Sequence, residues 1–170
     1  MFSVIIPLYN KVHSVRRTID SVLAQACTDF EIIVINDGSS DGSEKVVADI
    51  RDAKLFLHSQ KNAGVSVARN RGVELSKYDR IAFLDADDEW HPQFLSTIEK
   101  LIRAFPKSNW RGTSYADATA NIRKSLLRAS LEQAEPRLVD YFEQSVKRLV
   151  IHITSVVMRK SRFLGLGGFS

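Results

Sequence analysis

Four acidic side chains, Asp85, Asp87, Asp88 and Glu89, crowd into five consecutive positions of RIAFLDADDEW (residues 80–90). Carboxylates packed this closely repel one another and call for a positive partner. A hard divalent cation is the natural one. Mg2+ or Mn2+ takes one or two protein carboxylates and completes its shell with water and phosphate oxygens. Asp85 and Asp87 alternate, so at the end of a strand both can face one crevice. A solvated acidic turn that caps the next helix would show the same short pattern. Other chemistries fit less well. The cluster lacks the glycine and terminal Glu of a calcium loop. It follows the fourth apolar run and is continued by Asp88, unlike the Asp-x-Asp of aspartate-nucleophile phosphatases. The glycine-rich fingerprints of dinucleotide-binding and P-loop proteins are absent.

The remaining chemistry-bearing residues are sparse. His13, His58, His91 and His152 show no ligand spacing, and His91 before Pro92 reads best as a helix-start residue. Cys27 is alone, which excludes a disulfide framework and a cysteine zinc site and suits a reducing compartment. A net charge of +4 over 170 residues is a mild excess and gives no argument for nucleic acid. The amino terminus lacks the pattern of a signal peptide, and no apolar stretch has the length of a membrane span.

The elements that would position the cluster can be read from periodicity. FSVIIPL, EIIVIN and RIAFLD are nearly continuous apolar runs, as expected of strands covered on both faces, and KLFLH also has strand length. The first run is expected to stop at Pro7. Helical patterns lie between them. One carries Val15, Ile19, Val22, Leu23 and Ala26, with Cys27 at its end. A second opens on a capping box of Asp41 and Glu44. A third places Val65, Ala68, Gly72 and Leu75 on one face, and a fourth starts with Pro92 as its first helical residue. The alternation predicts an α/β domain with a mostly parallel central sheet between helical layers. In such sheets ligands bind beyond the carboxyl ends of the strands. Three of those ends are polar: PLYN, NDGSSDGS and DADDEW. Residues 107–170 read less clearly. A strand is expected within WRGTSYADAT and another in IHITSVVMRK, with a helical stripe in RLVDYFEQSVKRLV between them.

VIIPLYN, VINDGSSDGS, NAGVSVARNRGV and FLDADDEW, in this order over residues 4–90, resemble the donor half of glycosyltransferase family 2. A looser likeness continues through ITSVVMRK to GLGGF. The resemblance implies the GT-A fold, a Rossmann-like α/β/α sandwich, as a single domain over residues 1–170. Residues 1–105 would be the donor-binding half and 106–170 an incomplete acceptor-side half. It implies an inverting transfer of sugar from a nucleotide-diphosphate sugar, with uracil the favoured base, to an acceptor hydroxyl. Pro7 and Tyr9 would border the nucleobase, Pro7 through its backbone and Tyr9 through its ring. Asp37 would accept the base N–H, Arg69 would approach the base or diphosphate, and Asp85 would hold the ribose hydroxyls or a metal-bound water. Asp87 would bind Mn2+ or Mg2+ directly. Alternative readings are that Tyr9 is core, that Asp37 is an Asx-turn residue, and that Arg69 makes a surface ion pair.

Relatives carry the general base in a Glu-Asp pair after a Gly-Gly-Phe turn, and this sequence reaches Gly167, Gly168, Phe169 and ends at Ser170. The expectation is a carboxyl-terminally truncated member whose base lies beyond Ser170, binding donor with little transfer. Asp117, Asp140 and Glu143 do not match the pattern. The implied partners are a nucleotide-diphosphate sugar and a glycan or lipid-linked acceptor, with no nucleic acid. Arg123, Lys124 and Arg128, interleaved with Leu126, Leu127 and Leu131, allow peripheral contact with anionic lipid. The implied location is cytoplasmic, including the inner membrane face. A nucleotide-sugar binding module without catalysis and a metal-dependent phosphoryl or nucleotidyl transferase are the competing functions.

Overall fold

A computed structural model of the chain describes residues 1–108, 110–113 and 153–170. Strand β1 (Phe2–Leu8) lies mid-sheet and runs parallel to β2 (Phe30–Asn36), in register from Phe2 opposite Phe30 to Leu8 opposite Asn36. On its other side β1 pairs in parallel with β4 (Arg80–Phe83) over Ser3–Ile5. Strand β3 (Leu55–Ser59) extends the sheet beyond β2, also in parallel. Beyond β4 lie β6 (Val156–Arg159), antiparallel, and β5 (Trp110–Gly112), antiparallel to β6. The order is β3-β2-β1-β4-β6-β5.

Both faces of this sheet are covered, which explains the continuous apolar runs. Phe2, Val4, Ile6 and Leu8 point to one layer, with Val15, Ile19 and Val22 of α1 (Val15–Leu23) and Phe94, Leu95 and Ile98 of α4 (Phe94–Ala104). Val47 of the short α2 (Ser43–Ala48) joins the same cluster. Ile5 faces the opposite layer, with Val73 of α3 (Val65–Leu75) and Phe163 of α5 (Lys160–Gly165). Gly72 lets α3 close directly on β1, because a Cβ there would meet the Ile5 side chain.

Several expectations are corrected. β1 continues past Pro7 to Leu8. The Ile5 carbonyl accepts from Leu84 N–H on the β4 side, and Pro7, two residues on, points the same way beyond the β4 pairing. Its missing N–H therefore costs no ladder bond. Pro92 sits in a turn before α4, which begins at Phe94. The capping box does not form. Gly42, at φ 90°, precedes α2, Asp41 accepts from Ser43, and Glu44 accepts from Ser59 Oγ at 2.6 Å instead of turning back. On α3, Val73 is buried while Val65 and Leu75 are exposed. Cys27 is core, but it lies past the end of α1.

The helical stripe expected within residues 137–150, the basic segment around Arg123, Lys124 and Arg128, and Asp117, Asp140, Glu143 and His152 lie outside the described residues.

Candidate functional site

Three loops leave the carboxyl edge of β1, β2 and β4, and side chains stitch them together. After β1, Asn10 adopts a left-handed φ of 51°, and its Oδ1 accepts from Ser40 N–H of the β2 loop. Asn10 N–H donates to Ser39 Oγ, Lys11 N–H to Ser43 Oγ, and Val12 N–H to Asp41 Oδ2. The Ser43 hydroxyl and the Val12 and Ser43 amides hold the Asp41 carboxyl below the usual aspartate range.

The acidic turn after β4 is pinned to α1. Ser14 Oγ donates to the Ala86 carbonyl at 2.8 Å, and Trp90 N–H donates to Ser21 Oγ. Gln25, buried at the end of α1, donates to the His91 carbonyl and accepts from Leu95 N–H in the first turn of α4. The Trp90 ring stacks on Phe94 at 4.2 Å, and its indole N–H reaches the Thr154 carbonyl. This side-chain cap on α4 comes from a residue 70 positions away, past the end of α1, so no local pattern announced it.

Between the loops opens a cleft of about 520 Å3, and Pro7, Tyr9, Asp37, Arg69, Asp85 and Asp87 all line it. The six site residues named from sequence therefore meet in one place. Tyr9 is half exposed at its rim and is not core. Asp37 is buried, with both oxygens engaged. Oδ1 accepts from Gln60 Nε2 and Ala63 N–H, and Oδ2 from Gly64 N–H at 2.8 Å. A carboxylate has about four acceptor positions, so roughly one remains for a ligand. Asp37 makes no Asx turn, and the following loop is instead braced by Asn36, whose Oδ1 accepts from Ser39 N–H. Gly38, at φ +75°, is packed so that a Cβ would sit 2.9 Å from Asn62 N.

Asp85, Asp87 and Glu89 each meet a basic side chain. Arg69 Nη2 donates to Asp85 Oδ1 at 2.6 Å, with both side chains mostly buried, so the surface ion pair becomes a sheltered one. Lys11 Nζ meets Asp87 Oδ2 at 2.6 Å, and Arg17 lies 3.6 Å from Glu89. The hydrogen bond to Asp87, aided by the charges of Asp87, Asp85 and Asp88, raises the Lys11 pKa against the opposing effect of burial. The Asp88 amide closes a turn onto the Asp85 carbonyl. Lys11 was missed from sequence, although it directly follows PLYN at a strand end. His91 is turned to its own helix, where Nδ1 accepts from Gln93 N–H. Arg71 is exposed and lies away from the cleft.

The donor set fits a hard divalent cation. Asp87 is half exposed to the cleft and already attracts a positive group, and Asp85 stands two residues away. Among the described residues no three His, Cys, Asp or Glu side chains gather as a closed metal cage. Two carboxylates with water and phosphate are what Mg2+ or Mn2+ accepts, whereas a structural zinc would require four ligands.

The sheet order, the helical layers and a cleft at the carboxyl edge define an α/β protein with its ligand site beyond the strand ends. The pattern of glycosyl transferase family 2 matches residues 3–161, and the chain belongs to that family. It is 46% identical over 99 residues to the uncharacterised glycosyltransferase YibD of Escherichia coli, covering 56% of this chain and 28% of that one. S. aureus TarS in complex with UDP-GlcNAc superposes with a TM-score of 0.78 at 18% identity, over 99% of this chain and 48% of that one. The mannosyltransferase PcManGT from Pyrobaculum calidifontis, in complex with GDP-Man and Mn2+, gives 0.72 at 22% identity, over 99% and 47%. These neighbours identify the GT-A fold. The chain thus spans under a third of YibD and about half of each solved chain.

Proposed function

We propose that this chain is the donor-binding part of an inverting, metal-dependent glycosyltransferase that uses a nucleotide-diphosphate sugar, with uracil the favoured base. The observation that carries this reading is the convergence of Asp37, Arg69, Asp85 and Asp87 with Tyr9 on one cleft. Family membership and the sugar-nucleotide complexes of TarS and PcManGT support it. Residues 1–105 hold the donor, and the chain after residue 105 begins the acceptor side.

Tyr9 offers a half-exposed ring to the base, and Asp37 keeps an acceptor position for a base N–H. Mn2+ or Mg2+ held by Asp87, directly or with Asp85 through water, would neutralise charge on the leaving diphosphate. Arg69 and Lys11 add two fixed positive charges beside it and suit phosphate oxygens. Each must exchange its carboxylate for ligand, since Asp85 and Asp87 neutralise these two cations in the free site. An acceptor hydroxyl, on a glycan or a lipid-linked sugar, needs a general base. The cleft-lining carboxylates Asp37, Asp85 and Asp87 all have other partners, so we assign the base to none of them. No helix among the described residues is long and apolar enough to cross a membrane. Work on the cytoplasmic side, with peripheral contact at the inner membrane face, is consistent with the reading.

Calorimetric titration with UDP and GDP, in Mn2+ and in EDTA, tests it. UDP is expected to bind at least about tenfold more tightly with Mn2+, a difference of ~1.4 kcal/mol. Equal affinity in EDTA would remove the metal from the account.

A further inference from the structure

The Gly167-Gly168-Phe169 turn packs against the helix that carries Arg69. Gly167 and Gly168 both hold positive φ, at 86° and 77°. The turn they make delivers Phe169 to Asn70, the residue after Arg69 on α3. Asn70 Nδ2 donates to the Phe169 carbonyl at 2.9 Å, and Phe169 N–H donates to Asn70 Oδ1 at 2.9 Å. The side-chain amide thus pairs with a main-chain residue 99 positions away as a strand would. The fit leaves no room at Gly168, where a Cβ would lie 2.8 Å from Asn70 Oδ1. Glycine is therefore required there twice, by conformation and by the close approach of the amide.

Phe169 has a second contact. The Arg69 guanidinium lies 5.4 Å from its ring centroid, within cation–π range. The ring is itself held edge-on by Phe83 at 5.3 Å and Phe163 at 5.2 Å. Arg69 is thereby covered on one side by an aromatic cluster and tied on the other to Asp85. Its Nε is buried with no acceptor among the described residues. The Arg69 position is thus set by Asp85 at one end and by packing against Phe169.

We infer that Asn70 is a positioning residue: it latches the Gly-Gly-Phe turn onto α3, and the turn holds the Arg69 guanidinium at the cleft. The turn and the cleft are then one mechanical unit. Whatever seats or displaces the turn changes how Arg69 is presented to a diphosphate. The latch itself is independent of the donor reading, while its effect on ligand affinity rests on that reading.

The test uses Asn70→Ala, Asn70→Asp and Phe169→Leu in the 170-residue chain, with two readouts. The first is the Arg69 Nε–H signal in arginine-labelled 15N NMR spectra, which needs no ligand. In the wild type this signal is expected to be shifted by the Phe169 ring and slow to exchange. Asn70→Ala and Phe169→Leu should each move it toward the position of an exposed arginine. Asn70→Asp keeps the acceptor but loses the donor and should fall between. The second readout is UDP affinity in Mn2+, expected to drop about tenfold in Asn70→Ala and in Phe169→Leu, the scale of one weakened hydrogen bond to a charged group. The double variant should lose no more than the worse single one, as for two residues acting through one contact. If Asn70→Ala fails to fold, Asn70→Asp carries the test. An unmoved Arg69 signal in the Asn70 variants overturns the latch. A moved signal with no UDP binding by the wild type would sustain the latch and overturn the donor reading instead.

Discussion

Asp37 illustrates how one side chain shapes the cleft before any ligand arrives. Its three accepted hydrogen bonds gather Gln60, Ala63 and Gly64 and so fix the entry to α3. In Asp37→Asn the single carbonyl oxygen accepts two of those N–H groups and the amide faces the third. The expected cost is about 1–3 kcal/mol in chemical denaturation, the range for a buried donor left unpaired. Weaker nucleotide binding should accompany it, and a variant of unchanged stability would contradict the account. Asp41 makes a pH-dependent link between the β1 and β2 loops. Its carboxyl is depressed by Ser43 and by the Val12 and Ser43 amides. The stabilisation is thus present above the ordinary aspartate value of about 3.9 and is lost as pH falls through the lower folded value. The Val12 and Ser43 amide NMR signals should therefore hold steady down to that ordinary value and move only below it. Movement already above it would mean that Asp41 is not their partner.

At the scale of elements, the continuous apolar runs gave β1, β2 and β4 because both sheet faces are covered. Helix faces were less legible. Val65 and Leu75 fit the helical period yet remain exposed, because α3 bears on the sheet through Ala68, Gly72 and Val73. Gly72 is where this packing is closest. Gly72→Ala would improve helix propensity but drive a methyl into Ile5. The steric term should dominate, with a loss of about 1–3 kcal/mol typical of overpacking. Equal or raised stability in thermal unfolding would show that α3 can lift off β1. Contacts between elements distant in sequence left no local signal. Gln25 capping α4 and Asn70 gripping Phe169 both join residues tens of positions apart. The apparent capping box at Asp41 and Glu44 was dissolved by such partners, Val12 and Ser59.

For the molecule as a whole, the three polar strand ends were enough to locate the cleft, because a parallel sheet gathers its carboxyl edges on one side. The charge balance within the cleft was not legible, since Lys11 and Asp87 lie 76 residues apart. That pair is exposed enough to contribute only about 0–1 kcal/mol to folding. It can therefore yield to a ligand without unfolding the loop. The proposed function requires that Asp87 hold a divalent cation against a diphosphate in this cleft. Anomalous diffraction from crystals of the chain grown with UDP and Mn2+ measures this directly. The predicted result is a manganese peak at ~2.0–2.2 Å from an Asp87 oxygen, touching the diphosphate, with Lys11 and Arg69 turned toward phosphate. Bound UDP with no manganese at Asp87, or manganese elsewhere, would contradict it.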